Sequence, residues 1–266
     1  GADCAGSSSQ VCNLQSCIVG PWWQVVDGDV QTNGDLNSNV PTGYYFGLDG
    51  LGGFPGVAKY GGSTDLTATK VSEKGWLANS SYAPPNGRVQ NYAYFRRLVP
   101  EETMINEIPN GIPFSLEGTL SADGYYWYEY TGSLPLRIMS DLDLTGKKVI
   151  LLVATADLSI EGNITHPSGN GILVALTGGN IDIDDTVTDL QGFFLADGNI
   201  STGVSASPLH VKGSVVALGS LILQRDLGSS LNETTAAQVF EYDPAGAFLF
   251  PPKLSVEKTR WKEVAP

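Results

Sequence analysis

Four alanines stand at one interval: Ala154, Ala175, Ala196 and Ala217, each 21 residues after the last. Their neighbours keep the register. Leu152, Leu173, Phe194 and Val215 lie two positions earlier, and Val153, Val174, Leu195 and Val216 one position earlier. Four positions earlier, three of the four rungs carry glycine, at Gly171, Gly192 and Gly213. A turn-like triplet follows: Ala156-Asp157-Leu158, Gly179-Asn180-Ile181, Gly198-Asn199-Ile200 and Gly219-Ser220-Leu221. The second triplet falls two residues late, so its rung is expected to carry a small insertion. Helix-pair repeats need roughly 33 residues or more, whereas one turn of a parallel β-solenoid fits this period. The expected fold is therefore all-β, a right-handed parallel β-solenoid.

Equivalent residues of stacked rungs form ladders about 4.8 Å apart, and side chains alternate between the two faces of a strand. Leu152 and Ala154 are expected inside. The Val153, Val174, Leu195 and Val216 ladder then points outward, yet it is apolar where a solvated face would be polar. Such a strip calls for a cover, either another part of this chain or a second subunit, and these four residues are the interface candidates.

Residues 144–228 hold the repeats. An earlier copy is visible in Trp22-Trp23-Gln24-Val25-Val26-Asp27-Gly28-Asp29-Val30, which matches Phe193-Phe194-Leu195-Ala196-Asp197-Gly198-Asn199-Ile200 with one deletion, and Gly34-Asp35-Leu36 follows it. Residues 20–40 thus read as a first rung. Residues 41–143 break the period and are rich in Gly, Pro and Tyr. They read as an inserted or capping, mainly β subdomain, with helices over Arg88–Leu98 and Glu101–Glu107 and a hairpin of Phe114–Leu120 with Tyr125–Thr131. Residues 229–266 read as a cap, with Ala236–Tyr242 over the last rung and an extended tail after Pro251-Pro252.

Residues 1–19 contain all three cysteines, Cys4, Cys12 and Cys17, the disulfide candidates. Three cysteines without a nearby histidine leave a structural zinc site one ligand short. One pair and one leftover suit a secreted protein with a free or intermolecular thiol. The chain opens on Gly1, which suggests that a signal or anchor was removed. The net charge of −13, with 15 basic residues spread along the chain, excludes the clustered cations that nucleic acid or an anionic membrane requires. The longest apolar run, Val149 to Ala154, is far short of the roughly 20 residues of a membrane-spanning helix. The expected location is extracellular or the cell surface.

Catalytic and metal chemistry has few candidates. Asp182, Asp184 and Asp185 form an acidic corner that suits calcium or an acid–base pair, but acidic turn residues exposed to water explain it as well. The segment resembles the aspartate pair of polygalacturonases, but the Gly-His-Gly and Arg-Ile-Lys motifs of that family are missing. Gly178-Gly179-Asn180-Ile181-Asp182 begins like a calcium-binding nonapeptide, with Ile where the third glycine belongs. No other cofactor is implied. His166 and His210 lack a nucleophile motif and are expected at the surface. Asn79, Asn163, Asn199 and Asn232 head glycosylation sequons, with Asn163 and Asn199 expected to point outward. The tyrosines of 41–143 suit either a core or the stacking of sugars.

The Gly-Asp-Val and Gly-Asn-Ile corners, with the rung Val211-Lys212-Gly213-Ser214-Val215-Val216-Ala217-Leu218-Gly219-Ser220-Leu221, resemble the polymer-forming bacterial β-solenoids of the bactofilin type. That likeness covers the last third. Bactofilins are cytoplasmic with shorter rungs, and this chain departs from them in its rung length, N-terminal cysteines and long insertion. Over more of its length, at Pro21–Val30, Trp76–Ser80 and Trp261–Pro266, the chain resembles secreted surface proteins of bacteria. These likenesses and the missing catalytic set lead to the expectation of a non-enzymatic extracellular structural protein. It would be a cell-surface, filament or appendage subunit whose partners are itself or other surface proteins. The alternatives are a carbohydrate-binding or polysaccharide-cleaving β-helix with glycan partners, and a pilus-associated adhesin.

Overall fold

The Gly-Asx triplets are rung corners, and their chemistry explains why. A tight turn leaves backbone N–H groups unpaired, and a short Asp or Asn side chain can accept from the turn stacked on it. Here Asp157 Oδ1 accepts from the Asn180 N–H at 2.8 Å, Asn180 Oδ1 from Asn199 at 2.8 Å and Asn199 Oδ1 from Ser220 at 2.8 Å. The preceding glycine lets the turns close up: a Cβ at Gly219 would sit 2.8 Å from the Gly198 carbonyl oxygen.

The computed structural model describes residues 11–13, 16–18, 21–38, 45–50, 56–65, 76–80, 89–167, 169–232 and 234–255. They build a parallel β-solenoid of about seven turns. Three sheet faces enclose the core, all parallel except for a separate hairpin of Val11–Asn13 with Ser16–Ile18. The first face stacks Ile105–Ile108, Tyr126–Tyr130, Lys148–Val153 and Ile172–Thr177, then the C-terminal halves of Asp189–Ala196 and Leu209–Ala217. The second stacks Leu136–Ile138, Leu158–Ile160, Ile181–Ile183, Ile200–Ser201 and Leu221–Leu223. The third stacks Leu142–Asp143, Ile164–Thr165, the N-terminal halves of the two long strands, and Gln238–Glu241. Each long strand turns a corner between two faces at a glycine with positive φ, Gly192 at 147° and Gly213 at 133°.

The interior is a column of Leu, Ile, Val, Ala and aromatic side chains, including Val149, Leu151, Val153, Leu173, Ala175, Phe194 and Ala196. The rungs are less regular than the alanine spacing implies. Val153 pairs with Thr177, 24 residues on (153 to 177). Thr177 pairs with Ala196 after 19 and Ala196 with Ala217 after 21. The long rung differs from 21 by an odd number, so it reverses the alternation beneath it. Val153 therefore faces the core and Leu152 the outside, opposite to the expectation. Val174 and Leu195 do face outward as expected.

The order of the stack differs more deeply from the order of the chain. The rung of residues 20–40 does not precede the repeats but follows them. Leu36 pairs with Leu221, Thr32 with Ala217 and Trp23 with Gln238. Tyr45–Asp49, Val57–Tyr60, Thr64–Asp65 and Trp76–Asn79 then continue the same faces upward. Residues 41–143 are thus not a sheet set apart, because their strands extend the solenoid at both ends. Glu101–Glu107 is not helical; Ile105–Ile108 is the lowest strand of the first face. Tyr126–Tyr130 pairs in parallel on both sides rather than in a hairpin. The helix expected over Arg88–Leu98 forms as α1 (Tyr92–Arg96), where the chain runs back along the first face. Near the C-terminus lie α2 (Ser229–Asn232) and α3 (Pro244–Leu249).

Candidate functional site

The outward apolar strip is covered by the chain itself. Tyr92, Phe95 and Val99 of the α1 region, with Leu249, Phe250 and Leu254 of the C-terminal region, pack on Ile150, Leu152, Val174, Leu176 and Leu195. Polar contacts fix this cover. The Tyr92 backbone N–H donates to Asp197 Oδ1 at 2.8 Å, and Arg96 forms a fork to Glu129 at 2.6 and 3.0 Å. Burial, reinforced by the Glu129 carboxylate, pushes the Tyr92 phenol up to about 12. Burial raises Asp197, against the pull of the Tyr92 N–H. Of the four interface candidates, Val153 lies in the core and Val174 and Leu195 are buried under this cover, so none of the three is free to meet a partner. Val216 is half-buried and borders a cavity.

Two adjoining cavities open where α1, α3 and the corner glycines meet. One, of about 420 Å³, is lined by Tyr94, Phe95, Phe193, Phe250, Gln90, Ser214 and Asp243. It occupies the groove left by the missing side chains of Gly192 and Gly213. Asp243 caps α3, accepting from the Ala245 N–H at 3.1 Å. Its other oxygen lies 3.9 Å from His166 Nε2, and both residues are buried. His166 is therefore not the surface residue expected, and the Asp243-Pro244 helix start was the sequence signal for its partner. His210 is half-exposed and lies 3.1 Å from Glu241 Oε2.

The second cavity, of about 460 Å³, opens at the seam where the N-terminal rungs sit on the C-terminal ones; Trp23, Val30, Ala217, Leu221 and Phe240 line it. The corner ladder crosses this seam. Gly34 N–H donates to the Gly219 carbonyl at 3.3 Å and Thr32 Oγ1 to the same oxygen at 2.9 Å, and Asp35 Oδ1 accepts from the next rung's Ser63 N–H at 2.7 Å. Inside, Trp23 stacks on Phe46 with centroids 3.9 Å apart. The Trp22 and Trp23 indole N–H groups and both polar atoms of the Gln238 amide are buried without a protein partner.

The other sequence candidates are dispersed. Asp182 is exposed on the second face and raised by burial and the nearby Asp157. Asp184 caps its own turn, accepting from Thr186, whose hydrogen bonds hold its carboxyl below the usual range. Asp185 is exposed, and its carbonyl accepts from Arg225. Among the described residues no group of three His, Cys, Asp or Glu could hold a metal ion. Arg225, the only arginine of residues 144–228, is fully buried. It donates to the carbonyls of Thr202, Asp184 and Asp185 at 2.6, 2.7 and 2.9 Å.

Asn163 and Asn199 use Oδ1 in corner bonds along the stack. Asn232 is buried, with Nδ2 donating to Asp226 at 2.6 Å, which withdraws it as a glycosylation site. Asn79 is exposed on the uppermost strand of the first face. Of the tyrosines, Tyr125, Tyr128 and Tyr130 are buried. The register sets Cys12 opposite Cys17, while Cys4 and the tail beyond residue 255 lie outside the described residues.

The fold defines the chain as a parallel β-solenoid. No family model, curated protein or solved structure matches it. No described helix is long and apolar enough to cross a membrane.

Proposed function

We propose that the chain is an extracellular, non-enzymatic structural protein, a surface or filament subunit that assembles through the stacking of solenoid rungs. The observation that carries this reading is the seam: the last C-terminal rung accepts, in register, rungs that are not its neighbours in sequence. A surface that templates rungs within one chain is the kind that templates them between chains. The acidic charge favours solubility outside a cell, and the opposed Cys12 and Cys17 suit an oxidising compartment. The buried strip speaks against lateral contact through Val174 and Leu195, so the ends of the stack are the assembly surfaces.

Electron microscopy of native, non-reduced material beside light scattering tests the reading. Filaments or tubes are expected. A monodisperse monomer at every concentration would overturn it.

The corner cavity favours a second reading, a carbohydrate-binding solenoid. Its wall of Tyr94, Phe193 and Phe250 offers stacking, and Gln90, Ser214 and Asp243 offer hydrogen bonds. Retention on a glycan array, lost in Phe193→Ala, would support this reading, and a blank array would remove it.

A further inference from the structure

The N-terminal turns are joined to the rest of the stack by contacts that the chain could make equally well with a copy of itself. We infer that residues 21–80 form an exchangeable module, which leaves its own C-terminal end and docks on the same end of a second copy. This rests on the structural reading above and gives it a mechanism.

Three observations lead there. First, the seam is built only of long-range contacts. The Thr32–Gly219 bond joins residues 187 apart, and the pairs Leu36 with Leu221 and Asn37 with Ile222 are equally remote. Exchange remakes every one of them between chains, so it changes only the entropy of the connection.

Second, four of the seven buried polar side-chain atoms that lack a partner among the described residues lie in this one layer. They are both polar atoms of the Gln238 amide and the indole N–H groups of Trp22 and Trp23, and Trp23 also lines the cavity of about 460 Å³. Unpaired buried polar groups and voids lower the cost of opening at that layer relative to the layers below. An opened copy presents the upper edge of Leu221–Leu223 and the lower edge of Leu36–Ser38, two complementary strand edges.

Third, the connection is long enough. Tyr92 is pinned to Asp197, near the level of Ala196, and Ser80 N–H donates to the Tyr60 carbonyl near the top. Four strand spacings separate those levels, about 19 Å. The twelve Cα–Cα steps from Ser80 to Tyr92, across eleven intervening residues, span up to ~40 Å when extended. That contour length lets α1 stay on its own copy while the module reaches a neighbour. Reciprocal exchange closes a dimer, and successive exchange propagates a filament.

The test uses full-length chains in which Cys4, Cys12 and Cys17 are serine. Asn37 and Ile222 are outward neighbours across the seam. Parallel strands about 4.8 Å apart fall within disulfide range. N37C and I222C proteins are mixed, opened briefly in sub-denaturing urea, returned to buffer, oxidised and run on a non-reducing denaturing gel.

Exchange predicts a band shift from 28.2 kDa to about twice that mass, and a ladder of multimers from the N37C/I222C double variant that lengthens with protein concentration. A double variant that closes only within one chain, with no linked species in the mixture, would overturn it. Should that pair not fold, Gln24→Cys and Val239→Cys place the same question on the third face. Filaments without interchain bonds would leave the structural reading standing and remove exchange. Interchain bonds with only closed dimers in the micrographs would do the reverse.

Discussion

Two buried polar side chains set the coil of residues 105–228 apart from the seam above it. Arg225 lies fully inside the coil, and its guanidinium donates to three carbonyls in the two turns beneath it, Thr202 in one and Asp184 and Asp185 in the other. Gln238 lies equally buried, one layer up, between Leu209 and Trp23, and neither end of its amide meets a protein partner. A polar group taken out of water is stabilising only where its hydrogen bonds are remade. Arg225 meets that condition and Gln238 does not; the coil leaves single atoms of Tyr128 and His166 unpaired, whereas the seam gathers four such atoms, on Trp22, Trp23 and Gln238, in one layer. The solenoid therefore behaves as a body with scattered unpaired atoms and a top where they are concentrated, although the ladders run through both without a break.

The largest effect should come from breaking the satisfied side. Arg225→Met fills much of the same volume but leaves the Thr202 and Asp185 carbonyls without their donor. An unsatisfied buried acceptor costs about 1–3 kcal/mol, so a loss of about 2–4 kcal/mol is expected after relief of the buried charge. Urea denaturation reads it as a lower midpoint. An unchanged midpoint would mean that the Arg225 bonds only balance the burial of its charge.

The opposite sign is expected at the seam. Gln238→Met keeps the length of the side chain and removes two unpaired polar atoms from an apolar column. A gain of about 1–2 kcal/mol follows. Hydrogen exchange locates it, because the amides of 30–38 should gain protection while those of 148–153 stay as they are. The same variant should slow any exchange of the module between copies. A loss of stability would show instead that the Gln238 amide has a working partner in solution.

This contrast explains which parts of the fold could be read from the sequence. The Gly-Asx corners were legible because one local need, an acceptor for the next turn's N–H, recurs at Asp157, Asn180, Asn199 and Asp35. The apolar strip through Val174 and Leu195 was legible as a face in need of a cover, and the helix that covers it falls within the stretch Arg88–Leu98 read as helical. The rung of Lys148–Val153 was misassigned because periodicity carries no information on loop length, and one 24-residue rung reverses the side chains beneath it. The position of the N-terminal rungs was hidden for a different reason. The triplet Gly34-Asp35-Leu36 shows that a rung forms but not which rung lies beneath it, since all corners share the same chemistry. His166 and Asp243 met by the same non-local route, through a helix start some 77 residues away in sequence (166 to 243).

The smallest effect tests how the chain is held as it returns along the first face. Tyr92 sits under α1 with its hydroxyl 3.4 Å from Glu129, and its pKa is about 12 against an ordinary value of 10.0. The neutral phenol is thus favoured in the folded state. Its contribution is fully present below the ordinary tyrosine range and is lost as the pH rises through about 12, because the unfolded chain gives up that proton first. Stability should therefore fall between about pH 10 and 12 in the native protein. Tyr92→Phe removes that portion of the slope and costs under about 1 kcal/mol at neutral pH, since the hydroxyl bond is long and the Arg96–Glu129 fork survives. Denaturation midpoints at pH 8 and 11 separate the two proteins. If the slopes coincide, the alkaline loss arises elsewhere, and Asp197 with the Arg96–Glu129 fork would be the contacts that hold the crossing against the coil.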